Sequence, residues 1–213
     1  MLNKLNSLKP ADDWALELVH SQDQGMAIRN SIIAGTCIAI SDGSFKNNRG
    51  TSAGIIEDEG VPETRMIILN RVPGIPNDHS PYRAELIGVC GTITMIEQYV
   101  EYYKIRSGKA RIGIDGQAVI QRLKNPDSIR STMPSQDLLR YITNKVSKIP
   151  IDIEFFWVKG HQDDLGEEIT YEGELSIQCD ALAKQYWNAT KRMDDNCIPT
   201  KVNSKGFILK IDD

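Results

Sequence analysis

Three short apolar runs, divided by joints rich in glycine, asparagine and proline, precede one long helical repeat, and few folds accept that order. Residues 36–40 (Thr36-Cys37-Ile38-Ala39-Ile40) form the first run, which ends at Asp42-Gly43; residues 51–57 and 64–72 form the next two. Short runs between turn-forming residues read as strands, and connections this tight imply antiparallel neighbours. Over residues 82–103 the apolar positions Leu86, Val89, Cys90, Ile93, Ile96 and Val100 recur at threes and fours, which is the helical period. Residues 110–114 then read as a buried strand, 117–123 and 135–148 as helices, 151–158 as a strand and 175–192 as a last helix. An antiparallel meander followed by parallel crossovers gives an α/β chain with a mixed five-stranded sheet, three antiparallel strands first, and helices on both faces.

The rest of the chain is read as appendages to this unit. Residues 1–35 form a partly helical amino-terminal extension, with one short helix from Pro10 through Leu18 and Val19 and a second over residues 26–33. Residues 36–192 make up the central domain, and residues 193–213 a tail with a late strand at 206–211. No apolar stretch reaches the ~20 residues of a membrane span, and the amino terminus lacks the apolar run of a secretory leader. An intracellular protein, cytoplasmic or nuclear, is expected. Cys37, Cys90, Cys179 and Cys197 show no paired spacing, so free thiols are expected rather than a zinc site or a disulfide framework.

The chemistry lies in the carboxylates. Asp42 is placed just beyond the first strand and Asp115 just beyond the fourth; if those strands are parallel neighbours, both acids emerge at the carboxyl edge, where open α/β sheets place ligands. Glu85, early in the long helix, and Asp180, early in the last, can turn toward that edge. Four acids in one place repel unless a cation compensates them, and hard oxygen donors of this kind suit Mg²⁺. Two such ions can stabilise the attacking water and the leaving oxygen of an in-line displacement at phosphorus, with no serine or cysteine nucleophile.

Taken singly, an Asp after a strand reads equally as a turn former and a helical Glu as solvated surface. Their flanks are more specific. Ser41-Asp42-Gly43-Ser44, Arg83-Ala84-Glu85-Leu86, Ile114-Asp115-Gly116-Gln117, Trp157-Val158-Lys159-Gly160-His161 and Cys179-Asp180-Ala181-Leu182-Ala183 resemble, in order, the motifs of the type 1 ribonuclease H family. The texture of the 158–164 run, of Arg-Ala-Glu-Leu and of Asp180-Ala-Leu-Ala-Lys is most similar to ribonuclease H domains of retroelement reverse transcriptase polyproteins. The resemblance implies a ribonuclease H-like fold and hydrolysis of the RNA strand of RNA–DNA hybrids, leaving 5′-phosphate and 3′-hydroxyl ends. It implies two Mg²⁺ ions, with Mn²⁺ as a substitute, held by Asp42, Glu85, Asp115 and Asp180. His161 matches the family's mobile active-site histidine, which assists proton transfer or product release.

The same resemblance marks Ser44, Lys46, Asn48, Arg49, Tyr82, Arg83, Gln117 and Lys159 as substrate-binding positions. A groove-facing Asn or Gln can read the 2′-hydroxyl that distinguishes RNA from DNA, although Asn48 reads equally well as a turn residue at positive φ. Pro81-Tyr82 departs from the Asn pair of many family members, and Tyr82 is expected to stack on sugar or base instead. The acidic segment 161–180 reads as an insertion whose acids are solvated. The basic protrusion and the small amino-terminal hybrid-binding module of other members are missing, and the net charge is −4. Weak binding as an isolated monomer is therefore expected, with a reverse transcriptase domain or partner supplying further grip. Two other readings of the same acids are a different two-metal nuclease or transposase, and an inactive binding or structural module.

Overall fold

The computed structural model describes residues 15, 18–21, 25–74, 76–160, 162 and 169–190. The elements run β1 (Leu18–Ser21), α1 (Met26–Ala34), β2 (Cys37–Lys46), β3 (Arg49–Asp58), β4 (Val61–Arg71), α2 (Pro81–Tyr102), β5 (Lys109–Ile114), α3 (Gln117–Lys124), α4 (Gln136–Val146), β6 (Asp152–Trp157) and α5 (Tyr171–Thr190). The strands form one sheet in the order β1-β4-β3-β2-β5-β6. β2, β3 and β4 are an antiparallel meander, and β5 and β6 continue it in parallel beside β2. This is the expected five-stranded mixed sheet.

A sixth strand is added at its edge. β1 pairs antiparallel with β4, with Leu18 opposite Leu69 and Ser21 opposite Met66. The expected helix through Leu18 and Val19 is thus a strand at its carboxyl end. A neighbouring edge that offers unpaired backbone groups overrides a weak local helical pattern, and strand preference depends on such context more than helix preference does. Apart from Ala15, the remainder of that helix lies outside the described residues, as do the strand expected at 206–211 and the rest of the tail. The second expected helix is α1, which ends at Gly35 in the left-handed region (φ 81°).

Alternation along β2 assigns its two faces. Cys37 and Ala39 join the core beneath α2, with Leu86, Val89, Cys90, Ile93 and Ile96; Ile38 and Ile40 join the core beneath α5, with Leu175, Cys179 and Ala183. α2 starts where Ser80 accepts the Arg83 backbone N–H at 3.0 Å, with Pro81 in the first turn. It is buried continuously from Leu86 to Val100. The three described cysteines, Cys37, Cys90 and Cys179, are buried, and burial pushes the Cys37 thiol up to about 12, far from reactive. Among the described residues, no helix is long and apolar enough to cross a membrane.

One expected boundary is corrected. Asp42-Gly43 is not the end of β2: the strand runs on to Lys46, paired with β3 throughout, and the turn is Asn47-Asn48. Both asparagines have positive φ (52° and 57°), as a two-residue hairpin of type I′ requires. Gly43 is there for another reason. A Cβ at position 43 would collide with the backbone of Ala84 and Glu85, so its lack of a side chain lets the first turn of α2 lie against β2.

Candidate active site

Parallel register brings the first two acids together. Ile40 on β2 lies opposite Gly113 on β5, and two residues further along each chain stand Asp42 and Asp115. Trp157, opposite Ile114 on β6, donates its indole N–H to the Asp115 carbonyl at 2.9 Å, which fixes the backbone just after β5. Glu85 enters from just beyond the first turn of α2 and accepts the Gly116 backbone N–H on Oε1 at 2.9 Å. Position 116 must be glycine for this, since a Cβ there would collide with the same carboxylate oxygen. Gly160 borders the opposite side, where a Cβ would stand 3.2 Å from Asp115 Oδ2.

Asp180 comes from the middle of α5. The preceding residue, Cys179, directs its thiol to the Ile40 carbonyl at 3.3 Å, which sets α5 against β2 just ahead of Asp42. Asp180 accepts from the Lys184 ammonium at 2.5 Å, one helical turn on.

The acids perturb one another. Burial pushes Asp42 up to about 7; the charges of Asp115 and Asp180 add to this, while the Gly43 N–H, 2.6 Å from Asp42 Oδ1, opposes it. Burial and then the Asp115 carboxylate, by charge and by hydrogen bond, push Glu85 up to about 8 against the stabilising Gly116 N–H. Carboxylates this close repel one another, and a cation held between them would relieve that repulsion. Among the described residues, no three His, Cys, Asp or Glu side chains close up into a metal cage by themselves. The set is open, with acidic oxygens supplied from β2, α2, the end of β5 and α5.

The expected substrate-binding residues divide. Ser44 lies on β2 opposite Thr51, half-buried, and Lys46 and Asn48 are exposed at the hairpin tip with Arg49 beside them. Asn48 is a turn residue by conformation, and its exposure leaves the side chain accessible as well. Gln117 is exposed at the start of α3. Lys159 is half-buried, its carbonyl accepting from Gln162 at 2.9 Å. Tyr82 is half-buried with its hydroxyl 2.5 Å from Arg122 Nη1 and the Arg122 guanidinium 5.3 Å over its ring.

Arg83 does not fit the expectation. It is 5% exposed, and its two terminal nitrogens donate to the two carboxylate oxygens of Asp137 on α4, each at 3.0 Å. A buried guanidinium in a two-pronged ion pair ties α2 to α4 and is not offered to a ligand. His161 lies outside the described residues.

Lys184, Asp137 and Arg122 were not singled out by the sequence. Only Lys184 leaves a readable signal, as a cation four residues after an acid in a helical segment. A cleft of about 600 Å³ floored by Val100, Ile105 and Ile149 lies at the far end of α2 and takes in none of these acids.

No family model matches the chain, and no curated protein matches it by sequence. Solved structures match it by fold. The crystal structure of LC11-RNase H1 in complex with an RNA/DNA hybrid aligns at a TM-score of 0.52 and 10% identity, covering 70% of this chain and 94% of that one. The structure of LC11-RNase H1 isolated from compost by a metagenomic approach aligns at 0.50 and 10% identity, covering 74% and 99%. The chain has a ribonuclease H-like fold.

Proposed function

We propose that this chain is a metal-dependent endonuclease that hydrolyses the RNA strand of RNA–DNA hybrids, leaving 5′-phosphate and 3′-hydroxyl ends. One observation carries the reading: Asp42, Glu85 and Asp115 stand together at the carboxyl end of the parallel strands, where the Asp115 carboxylate adds to burial in raising both Asp42 and Glu85. Carboxylates gathered in this way are relieved by a bound cation. All four donors, Asp180 included, are hard carboxylate oxygens, which fit Mg²⁺ or, as a substitute, Mn²⁺. Their open arrangement suits ions that keep several waters and share substrate phosphate oxygens. When bound, such ions would supply Lewis-acid stabilisation of the charge that develops in an in-line displacement at phosphorus.

The protein's own groups orient that chemistry. The Gly116 N–H and the Trp157 indole hold Glu85 and Asp115 in place, and the Gly43 N–H holds Asp42. Lys184 neutralises Asp180 until a stronger cation competes. Asn48 and Gln117 are candidates to read the 2′-hydroxyl, and His161 is the candidate for proton transfer or product release. The ordered motifs around the acids support the context of a retroelement ribonuclease H domain working beside a reverse transcriptase.

The deciding experiment is cleavage of an RNA–DNA hybrid labelled on either strand, in Mg²⁺, in Mn²⁺ and in chelator. Metal-dependent cutting of the RNA strand alone, abolished by Asp115→Asn, is expected. Failure to cut in either metal would overturn the reading in favour of an inactive module; equal cutting of the DNA strand would favour another nuclease of this fold.

A further inference from the structure

We propose that Trp187 is a positioning residue for nucleic-acid binding, locking the β2–β3 hairpin to the helix that carries Asp180 so that Lys46 and Arg49 meet the phosphate backbone at a fixed place. This rests on the hybrid-cutting function proposed above.

The hairpin needs such a lock. β5 pairs with β2 no further than Ile40 opposite Gly113, and β4 pairs with β3 no further than Arg71 opposite Thr51. Gly50 is still tied to the segment before α2, through the Val72 N–H at 2.8 Å and its own N–H to His79 Nδ1 at 3.3 Å. Beyond it, the last ladder pair, Lys46 with Arg49, and the Asn47-Asn48 turn form a two-stranded ribbon, which is marginal in water without further packing.

α5 supplies that packing at two points on opposite strands. The Thr51 hydroxyl donates to the Ala183 carbonyl at 2.8 Å. One turn on, the Trp187 indole N–H donates to the Lys46 carbonyl at 3.2 Å, while the Lys46 ammonium stands 5.5 Å over the Trp187 ring. A single side chain thus fixes both the backbone and the charged end of Lys46.

Asp180 lies seven residues before Trp187 on the same stripe of α5, about 10.5 Å along the axis at 1.5 Å per residue. The acid and the exposed cation of the hairpin are therefore parts of one rigid unit. A cation held in advance loses less freedom on binding than a mobile one. It also selects a phosphate at a set distance from the carboxylates. Trp187 would act through Lys46 on grip and cleavage position, without touching the reacting atoms.

The test measures affinity for a fluorescent RNA–DNA hybrid in an Asp115→Asn background, so that nothing is cut. Trp187→Ala should weaken binding about three- to tenfold, the range set by a cation–π contact plus the lost fixing of the hairpin. Trp187→Phe, which keeps a ring but no indole N–H, should fall between. In the active background KM should rise by the same factor while kcat changes less than about twofold. On a Lys46→Ala background, Trp187→Ala should cost clearly less than in the parent, because only the backbone hold on the hairpin and Arg49 is then left to lose. Thermal unfolding establishes that each variant is folded, and Trp187→Phe decides if Trp187→Ala is not.

Unchanged hybrid affinity in a folded Trp187→Ala protein would overturn the proposal, as would a loss confined to kcat. So would additive effects of Trp187→Ala and Lys46→Ala. Absence of hybrid binding by the Asp115→Asn parent would instead overturn the function on which the proposal rests.

Discussion

Asp115→Asn tests the acidic cluster through stability as well as through cleavage. In the metal-free protein, burial and the Asp115 charge hold Asp42 up at about 7 and Glu85 up at about 8, both far above the values of a solvated chain. Each group therefore binds more protons folded than unfolded, and stability falls as pH rises. The penalty is absent below about pH 4, where both states are protonated, and complete above about pH 8, where both are ionised. Burial is the larger cause and remains in the variant; Asp115 is the next, and the asparagine removes its charge. Because a tenfold change in proton affinity corresponds to about 1.4 kcal/mol, the variant should gain roughly 1–2 kcal/mol at pH 8 and nearly nothing at pH 4. Urea unfolding in chelator across that range reads the effect as a shallower pH slope with unchanged m-value. Cleavage in Mg²⁺ should be lost. A variant that is less stable at pH 8 than at pH 4, relative to wild type, would refute the electrostatic argument, and one that cuts hybrids at near wild-type rate would refute the site.

Gly43→Ala should cost activity and stability together, because its methyl would displace the first turn of α2 and with it Glu85; circular dichroism melting alongside cleavage measures both. Asp137→Ala strands a guanidinium that is 5% exposed and whose Nε lacks a partner among the described residues, so a loss of about 3 kcal/mol in chemical denaturation is expected. Replacing both Lys46 and Arg49 with Ala should raise KM more than it lowers kcat. It should also flatten the salt dependence of hybrid affinity by up to about 0.9 in log–log slope per lost contact, as measured by fluorescence anisotropy.

The fold was legible where burial and period agree. α2 declares itself because its apolar residues face a sheet along most of its length, and β5 because Ala110, Ile112 and Ile114 are all fully buried. β1 was not legible: four residues take strand form because β4 offers an edge, and that information sits 45 to 51 positions away in the chain. Asp42-Gly43 misled for a related reason. The pair is a common turn signal, yet the glycine answers the approach of Glu85 from another element, and only the packed structure reveals that demand. The four acids were singled out through their sequence neighbours, and the fold carries them toward one edge of the sheet. Their partners Gly116, Trp157 and Lys184 follow from the geometry that the acids require, and Arg83 was misassigned because its partner Asp137 is 54 residues distant.

Net charge connects these observations to how such a protein would hold nucleic acid. A chain at −4 has little long-range attraction for a polyanion. At least six of its 25 Lys and Arg residues are also paired internally: Arg65 to Glu57, Arg83 to Asp137, Lys109 to Glu154, Arg111 to Glu59 and Glu172, Lys145 to Glu97, and Lys184 to Asp180. Several of these pairs brace the elements that carry the acids, since Arg83 holds α2, and Arg111 and the Glu57–Arg65 pair (with Tyr171 bonded to Glu57) hold the start of α5. Cations that build the site are thereby withdrawn from the surface that would grip the substrate. A fold stabilised in this way gains local precision at its carboxylates and gives up general affinity. It must then rely on a few well-placed contacts, of which the hairpin is the clearest, or on a partner that brings its own positive surface.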